Sequence, residues 1–272
     1  MKTVDALVLL GWMEKDEAIS YLQEQCWFDP ALTIQQAEEL WWKYRQVVDA
    51  LPERTIQQPT RLPIPFKRKD SVAEFLRKFK GPEVLDVINI DPMGLLAYQF
   101  YVVIDVAERH AKMSSRQWAK TCLTAERPVV QMQGRLDNGV VKFSLPHGEH
   151  LFGLQPDGAF RIQQGAAFVS VCEMEGRLLL KAGYHRSFAF CRETRNEPDA
   201  KDRSLLVALT KTVPPQLDAA FPTQGLRTTV LGSRPPLLSD FFNETLAMAV
   251  KLRKRRYEMH IKVDVVPVDD AS

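Results

Sequence analysis

The stretch "LLLKAGYHRSFAFCRE", residues 178–193, carries an apolar run through a glycine into a segment that opens on a histidine and an arginine. The run Leu178 to Leu180 reads as a buried strand, and Phe188, Phe190 and Cys191 give the following segment apolar residues to pack as a helix. Gly183 suits the turn between them, because without a Cβ it takes up left-handed backbone at little steric cost. The first N–H groups of a helix have no acceptor within the helix and lie at the positive end of its dipole, so such a junction can hold an anion. His185 would add a switchable donor and Arg186 a permanent, forked one. Gly183, Tyr184, His185, Arg186 and Ser187 are therefore the candidate ligand-binding residues.

Outward from this junction the period of two continues. "GVVKFSL", "AFRIQ", "AAFVSVCEM" and "RLLLKA" are strand-like runs broken by the turn signals "LDNG", "QPDG" and "EMEG", and "RSLLVALTKT" is a further strand candidate after the helix. The beginning of the chain reads differently. "DEAISYLQEQCW" and "IQQAEELWWKYRQVVDAL" have apolar residues at helical steps, and Thr33 with Gln36 has capping-box spacing. Trp27, Trp41, Trp42 and Tyr44 read as the packing face of this helical pair. "PERTIQQPTRLPIPF", residues 52–66, holds four prolines and is expected to be an extended connector. Ser71 and Glu74 predict a cap for the next helix, "EVLDVINIDP" a strand, and "LLAYQFYVVIDVAERHAK" with "SSRQWAKTCL" two more helices. The expected fold is α+β, with a helical N-terminal lobe over 1–51, the connector over 52–66 and a mixed-sheet body over 67–272. Within that body the alternation around "KLRKRRYEMHIK" predicts a terminal β-hairpin over about 245–267.

The segment "FVSVCEMEGRLLLKAGYHRSFAF" followed by "LLVALTK" resembles the core of the ParB/sulfiredoxin-like superfamily, over about residues 145–212. In that superfamily two strands, a glycine-led helix start and a further strand cradle nucleotide phosphates, and Gly183, His185 and Arg186 match its G-x-H-R form. The resemblance implies a nucleotide- or phosphate-binding protein, with slow nucleotide hydrolysis as an extension and a nucleoside triphosphate with magnesium as the candidate ligand. The departures narrow it. Tyr184 stands where sulfiredoxin-like members carry their catalytic cysteine, which excludes sulfinic acid repair. The paired arginines and the upstream polar box of ParB-type members are missing, and no helix-turn-helix follows.

Lys and Arg number 36 against 34 Asp and Glu, so no global field draws the chain toward nucleic acid or anionic lipid. Charge matters only where it clusters, and Lys251, Arg253, Lys254, Arg255 and Arg256 form such a cluster. It reads either as a grip on nucleic-acid phosphate or as a solvated edge. Cys26, Cys122, Cys172 and Cys191 have neither metal-ligand nor disulfide-framework spacing, and His147, Glu149 and His150 sit in a proline- and glycine-bearing turn, so no metal site is expected. With no signal-peptide pattern at the start and no apolar run long enough for a bilayer, the sequence predicts a cytoplasmic protein without a membrane partner. Three function classes follow: nucleotide binding, nucleic-acid binding through the basic hairpin, and a non-enzymatic partner-binding scaffold.

Overall fold

A computed structural model describes residues 2–55, 59–79, 84–109, 118, 122–123, 134–137, 140–144, 150–154, 160–164, 168–199, 201–211, 224–253 and 258–262. The protein is a mixed α+β fold, and its contacts gather it into two compact units, Met1–Ala125 with Ala166–Arg253, and Glu126–Gly165 with Lys254–Ser272.

The first unit opens on a strand. β1 (Thr3–Val8) runs into the buried Val8–Leu10, and a 3-10 turn at Leu10–Trp12 leads to α1 (Lys15–Glu24) and α2 (Ile34–Asp49). The expected capping box is formed: Thr33 Oγ1 accepts from Gln36 N at 3.2 Å while Gln36 Oε1 accepts from Thr33 N at 2.9 Å. Gly11 allows the 3-10 turn to press on α2, since a Cβ there would lie 2.5 Å from the Tyr44 carbonyl oxygen. The expected lobe boundary dissolves in this packing. Leu10, Trp12, Leu22, Ala37 and Val48 belong to the same buried cluster as Leu178, Phe188 and Val207, so the N-terminal helices share the core of the sheet. Amphipathic helices must bury their apolar stripe, and here the stripe is covered by the body.

The proline-rich stretch also contributes structure. Its β2 (Arg61–Leu62) adds to the edge of β3 (Val84–Ile90), and between them a 3-10 turn at Phe66–Arg68 feeds α3 (Lys69–Phe79), which starts ahead of the expected cap at Ser71. After β3 the predicted long helix is replaced by an extended segment at 95–99, then β4 (Tyr101–Val103) and the short α4 (Ile104–Glu108). Leu95, Leu96 and Ala97 are all fully buried. Their backbone is taken up from two sides: Leu96 N donates to Leu178 O (3.0 Å), Leu180 N to Leu96 O (2.9 Å), Ala97 N to Pro236 O (2.9 Å) and Leu238 N to Leu95 O (2.9 Å). A helix would have to satisfy those groups within itself.

In the second unit β5 (Gly134–Asp137), β6 (Val140–Ser144), β7 (His150–Leu154) and β8 (Phe160–Gln164) pair β5 with β6 and β7 with β8. The chain then returns to the first unit with β9 (Ser170–Met174) and β10 (Arg177–Ala182), followed by α5 (Tyr184–Thr194) and β11 (Leu205–Thr210). The five-stranded sheet has the order β10-β9-β11-β3-β2, with β11 parallel to β9 and the other pairs antiparallel. The expected strands near 168–172, 177–182 and 204–210 are all in it.

After α6 (Gln224–Leu231) come β12 (Met248–Arg253) and β13 (Glu258–Lys262), which do not form the expected hairpin. β12 pairs along its whole length with β1, in a sheet ordered β12-β1-β4, whereas β13 pairs with β6. Alternation specifies which face of a strand is buried and leaves its partner open. Here the partners lie far away in sequence.

One buried ion pair ties the start of the connector to the C-terminal part of the first unit. Arg54 meets Asp240 in a two-pronged contact, Nη1 to Oδ2 at 2.6 Å and Nη2 to Oδ1 at 2.9 Å, and Asp240 Oδ2 also accepts from Leu237 N at 2.8 Å. Arg54 Nη1 donates further to Pro235 O at 2.9 Å, and the guanidinium lies 5.8 Å from the Trp12 ring centre. With Asp240 only 5 % exposed, removal of either partner strands a charge away from water. Asp240→Ala is expected to lower unfolding stability by about 3–5 kcal/mol, read as a shifted urea midpoint at unchanged slope. Arg45→Ala, which breaks the exposed Arg45–Asp49 pair, should cost only about 0.5 kcal/mol.

Candidate functional site

Gly183 is the N-cap of α5 and sits at φ 92°, and no side chain caps the helix start. A Cβ on it would lie 2.8 Å from Val169 Cγ2 and 3.0 Å from Val169 Cα, so both the backbone angle and the space require glycine. The strand-to-helix junction read from the sequence is therefore formed, and it stands at the end of β10 beside the entry to β9.

The five expected ligand residues divide. Tyr184 faces the core at 3 % exposure, and its hydroxyl accepts from Tyr98 N at 2.9 Å and from Gln99 N at 3.2 Å. It anchors α5 to the extended segment and leaves the ligand set. Burial pushes its phenol well above the ordinary value, helped by neighbouring Tyr98, so it is a neutral hydrogen-bonding group. Ser187 is fully buried within the first turns and is likewise withdrawn from any ligand. Gly183, His185 and Arg186 keep partial exposure.

Elements distant in sequence surround this junction. Val169, against which Gly183 packs, donates its N–H to Cys122 O at 2.8 Å. Next to them Phe168 meets Phe75 of α3 edge-on at 5.3 Å, and Leu123 joins the same apolar cluster, so α3 is held close to the junction. Arg68, just ahead of α3, and Arg186 both act electrostatically on the Cys122 thiol. Burial lowers the pKa of each guanidinium, opposed by Cys122 for Arg186 and by Cys122 and Asp202 for Arg68. Two partly desolvated arginines thus neighbour one buried sulfur. Between the end of β3 and the start of β11, Arg203 Nε meets Asp91 Oδ2 at 3.3 Å and its Nη1 donates to Glu197 O at 2.6 Å. Arg68 was not among the sequence candidates. It sits in "PFKRKD", a solvated-looking charge run, and only the packing of α3 brings it here.

The remaining candidates lie elsewhere. Lys251, on β12, pairs with Asp5 at 3.0 Å on the exposed surface, and Arg253 closes that strand, donating its N–H to Gln25 O at 2.8 Å. Lys254, Arg255 and Arg256 lie outside the described residues, as do His147 and Glu149. Among the described residues no group of three His, Cys, Asp or Glu side chains could hold a metal ion, and no helix is long and apolar enough to cross a membrane. Comparison with protein-family models, with curated proteins and with solved structures finds no match.

All four cysteines are buried and free. Burial pushes the thiols of Cys26 and Cys122 up to about 12 and that of Cys172 up to about 11, and it raises Cys191 well above the ordinary value with Asp91 adding to the effect. No thiolate nucleophile is present at neutral pH. An unfolded chain releases these protons near about pH 8.5 and the folded chain holds them, so the native state binds more protons above that pH. The stabilisation is complete below about pH 8.5 and is lost as pH rises toward the folded values, by up to about 1.4 kcal/mol per pH unit for each thiol. Folded protein at about pH 8 should resist iodoacetamide, and its melting temperature should fall steeply above about pH 9. Rapid stoichiometric labelling of Cys122 without unfolding would contradict this.

Proposed function

We propose that this protein binds a phosphate-bearing small molecule, of nucleotide type, at the start of α5. The observation that carries the reading is the left-handed Gly183 at an N-cap no side chain occupies, with Arg186 inside the first turn. Helix-start N–H groups supply fixed donors, and a partly desolvated guanidinium supplies a charge that water screens weakly. Arg68 adds a second cation from outside the segment that carries the motif. The order β9, β10, Gly183, α5, β11, with β11 returning parallel to β9, supports the ParB/sulfiredoxin-like reading of residues 145–212.

Binding without turnover is the form of this function the chemistry favours. The two acids near the β9–β10 turn, Glu173 in β9 and Glu175 in the turn, are engaged at the far end of β10: Glu175 pairs with Arg227 at 2.6 Å and Glu173 with Arg61 at 3.8 Å. β10 has six residues, so that turn and Gly183 are separated by about 20 Å of strand. Asp91, nearer the junction, is engaged by Arg203. A nucleoside triphosphate would bring its own magnesium ion, since the described residues provide no metal cluster. Four free, buried thiols suit a reducing cytoplasm as the proposed location. The nucleic-acid reading loses the hairpin on which it was drawn.

A thermal-shift panel of ATP, CTP, GTP, pyrophosphate and short DNA duplexes tests the proposal. A bound nucleotide at a hundred times its dissociation constant should add about 2.7 kcal/mol of stability. Arg186→Ala should remove that gain without changing the unliganded melting temperature by more than a few degrees. Stabilisation by DNA alone, steeply lost with salt, would overturn the reading in favour of nucleic acid.

A further inference from the structure

The exposed face of α2 holds an open depression of about 310 Å³, lined by Gln35, Glu38, Glu39, Trp41 and Trp42. Gln35, Glu38, Glu39 and Trp42 fall at helical steps of three, four and seven, so they share one face. The core explains only part of it. Trp41 packs against the buried cluster and is held by its Nε1 donating to Met13 O at 3.0 Å. Trp42, its ring centre 5.8 Å from that of Trp41 and tilted by 44°, is left 51 % exposed. A half-exposed tryptophan braced against a fixed one presents an electron-rich face beside two carboxylates.

We infer that this depression binds an organic cation, an ammonium group borne by a lysine side chain of a partner protein. Indole faces attract cations, tryptophan most strongly, and a carboxylate at the rim adds to that attraction. The charges around the depression leave room for it. Lys15 is paired with Glu38, Lys43 lies over the Tyr44 ring, and Arg45 is paired with Asp49. Glu39 accepts from the neutral amide of Gln35 at 3.0 Å and keeps its negative charge for an incoming group. The Glu39 carboxylate repels phosphate, which sets this surface apart from the proposed anion site and disfavours stacking of a nucleotide.

The test is a titration followed through the indole N–H resonances, with N-acetyl-trimethyllysine amide as the cationic probe and N-acetyl-Nε-acetyllysine amide as its neutral counterpart. The cation should move the Trp42 indole signal saturably and the neutral probe should not. Trp42→Leu should abolish binding and Glu39→Gln weaken it about threefold or more, with both variants keeping the wild-type melt because the side chains face solvent. Absence of a saturable shift, equal binding of the two probes, or a Trp42 shift produced by ADP in place of the cation would each overturn the inference.

Discussion

The Tyr184 hydroxyl, held between the backbone N–H groups of Tyr98 and Gln99, is the contact on which the arrangement of the first unit turns. The segment it caps is the extended stretch from Leu95 to Gln99, which hydrogen-bonds to β10 on one side and to residues 236–238 on the other. Tyr98 returns the contact, its hydroxyl donating to Lys181 O at 2.9 Å, and the two tyrosine rings meet edge-on at 5.9 Å. Loss of one such acceptor leaves buried N–H groups unmatched, at about 1–3 kcal/mol each. The first residue of α5 is thereby locked to the neighbouring backbone, and the helix can start at only one place.

That lock has a chemical consequence. With Tyr184 turned inward and Gly183 forced left-handed against Val169, the helix start has no side-chain cap, and Arg186 is left partly buried, acting with Arg68 on the Cys122 thiol. Burial weakens the competition of water for a guanidinium and raises the worth of an anion beside it. Burial also pushes the Cys122 thiol up to about 12, so it stays protonated beside Arg186 at neutral pH. Further out, the Arg54–Asp240 pair holds residues 233–240 against the N-terminal helices, and residues 236–238 form one wall of the extended segment.

What could be read from the sequence was what is local. The Gly183 junction, the strand at 177–182 and the Thr33 capping box each depend on residues within a few positions of one another, and all three are present. Arg68, acted on by Cys122 and Asp202, and the Arg54–Asp240 pair depend on partners dozens to nearly two hundred residues away, and no spacing signals them. The stretch from Leu95 to Val103 misleads because it is apolar almost throughout, with Leu95, Leu96, Ala97, Phe100 and Val102 buried, and without a polar face the period of a helix and that of a strand cannot be separated. β12 and β13 were legible as strands by alternation, but their partners, β1 and β6, were not, since alternation carries no address.

The central claim is that the uncapped start of α5 and Arg186 form one anion site. A pyrophosphate titration of ¹⁵N-labelled protein followed through backbone and guanidinium resonances tests it most directly. The account predicts saturable shifts at the Tyr184, His185 and Arg186 amides and at the Arg186 side chain, with Arg68 responding at the same ligand concentration. Shifts confined to exposed lysines such as Lys251, without saturation and without movement at residues 184–186, would contradict it.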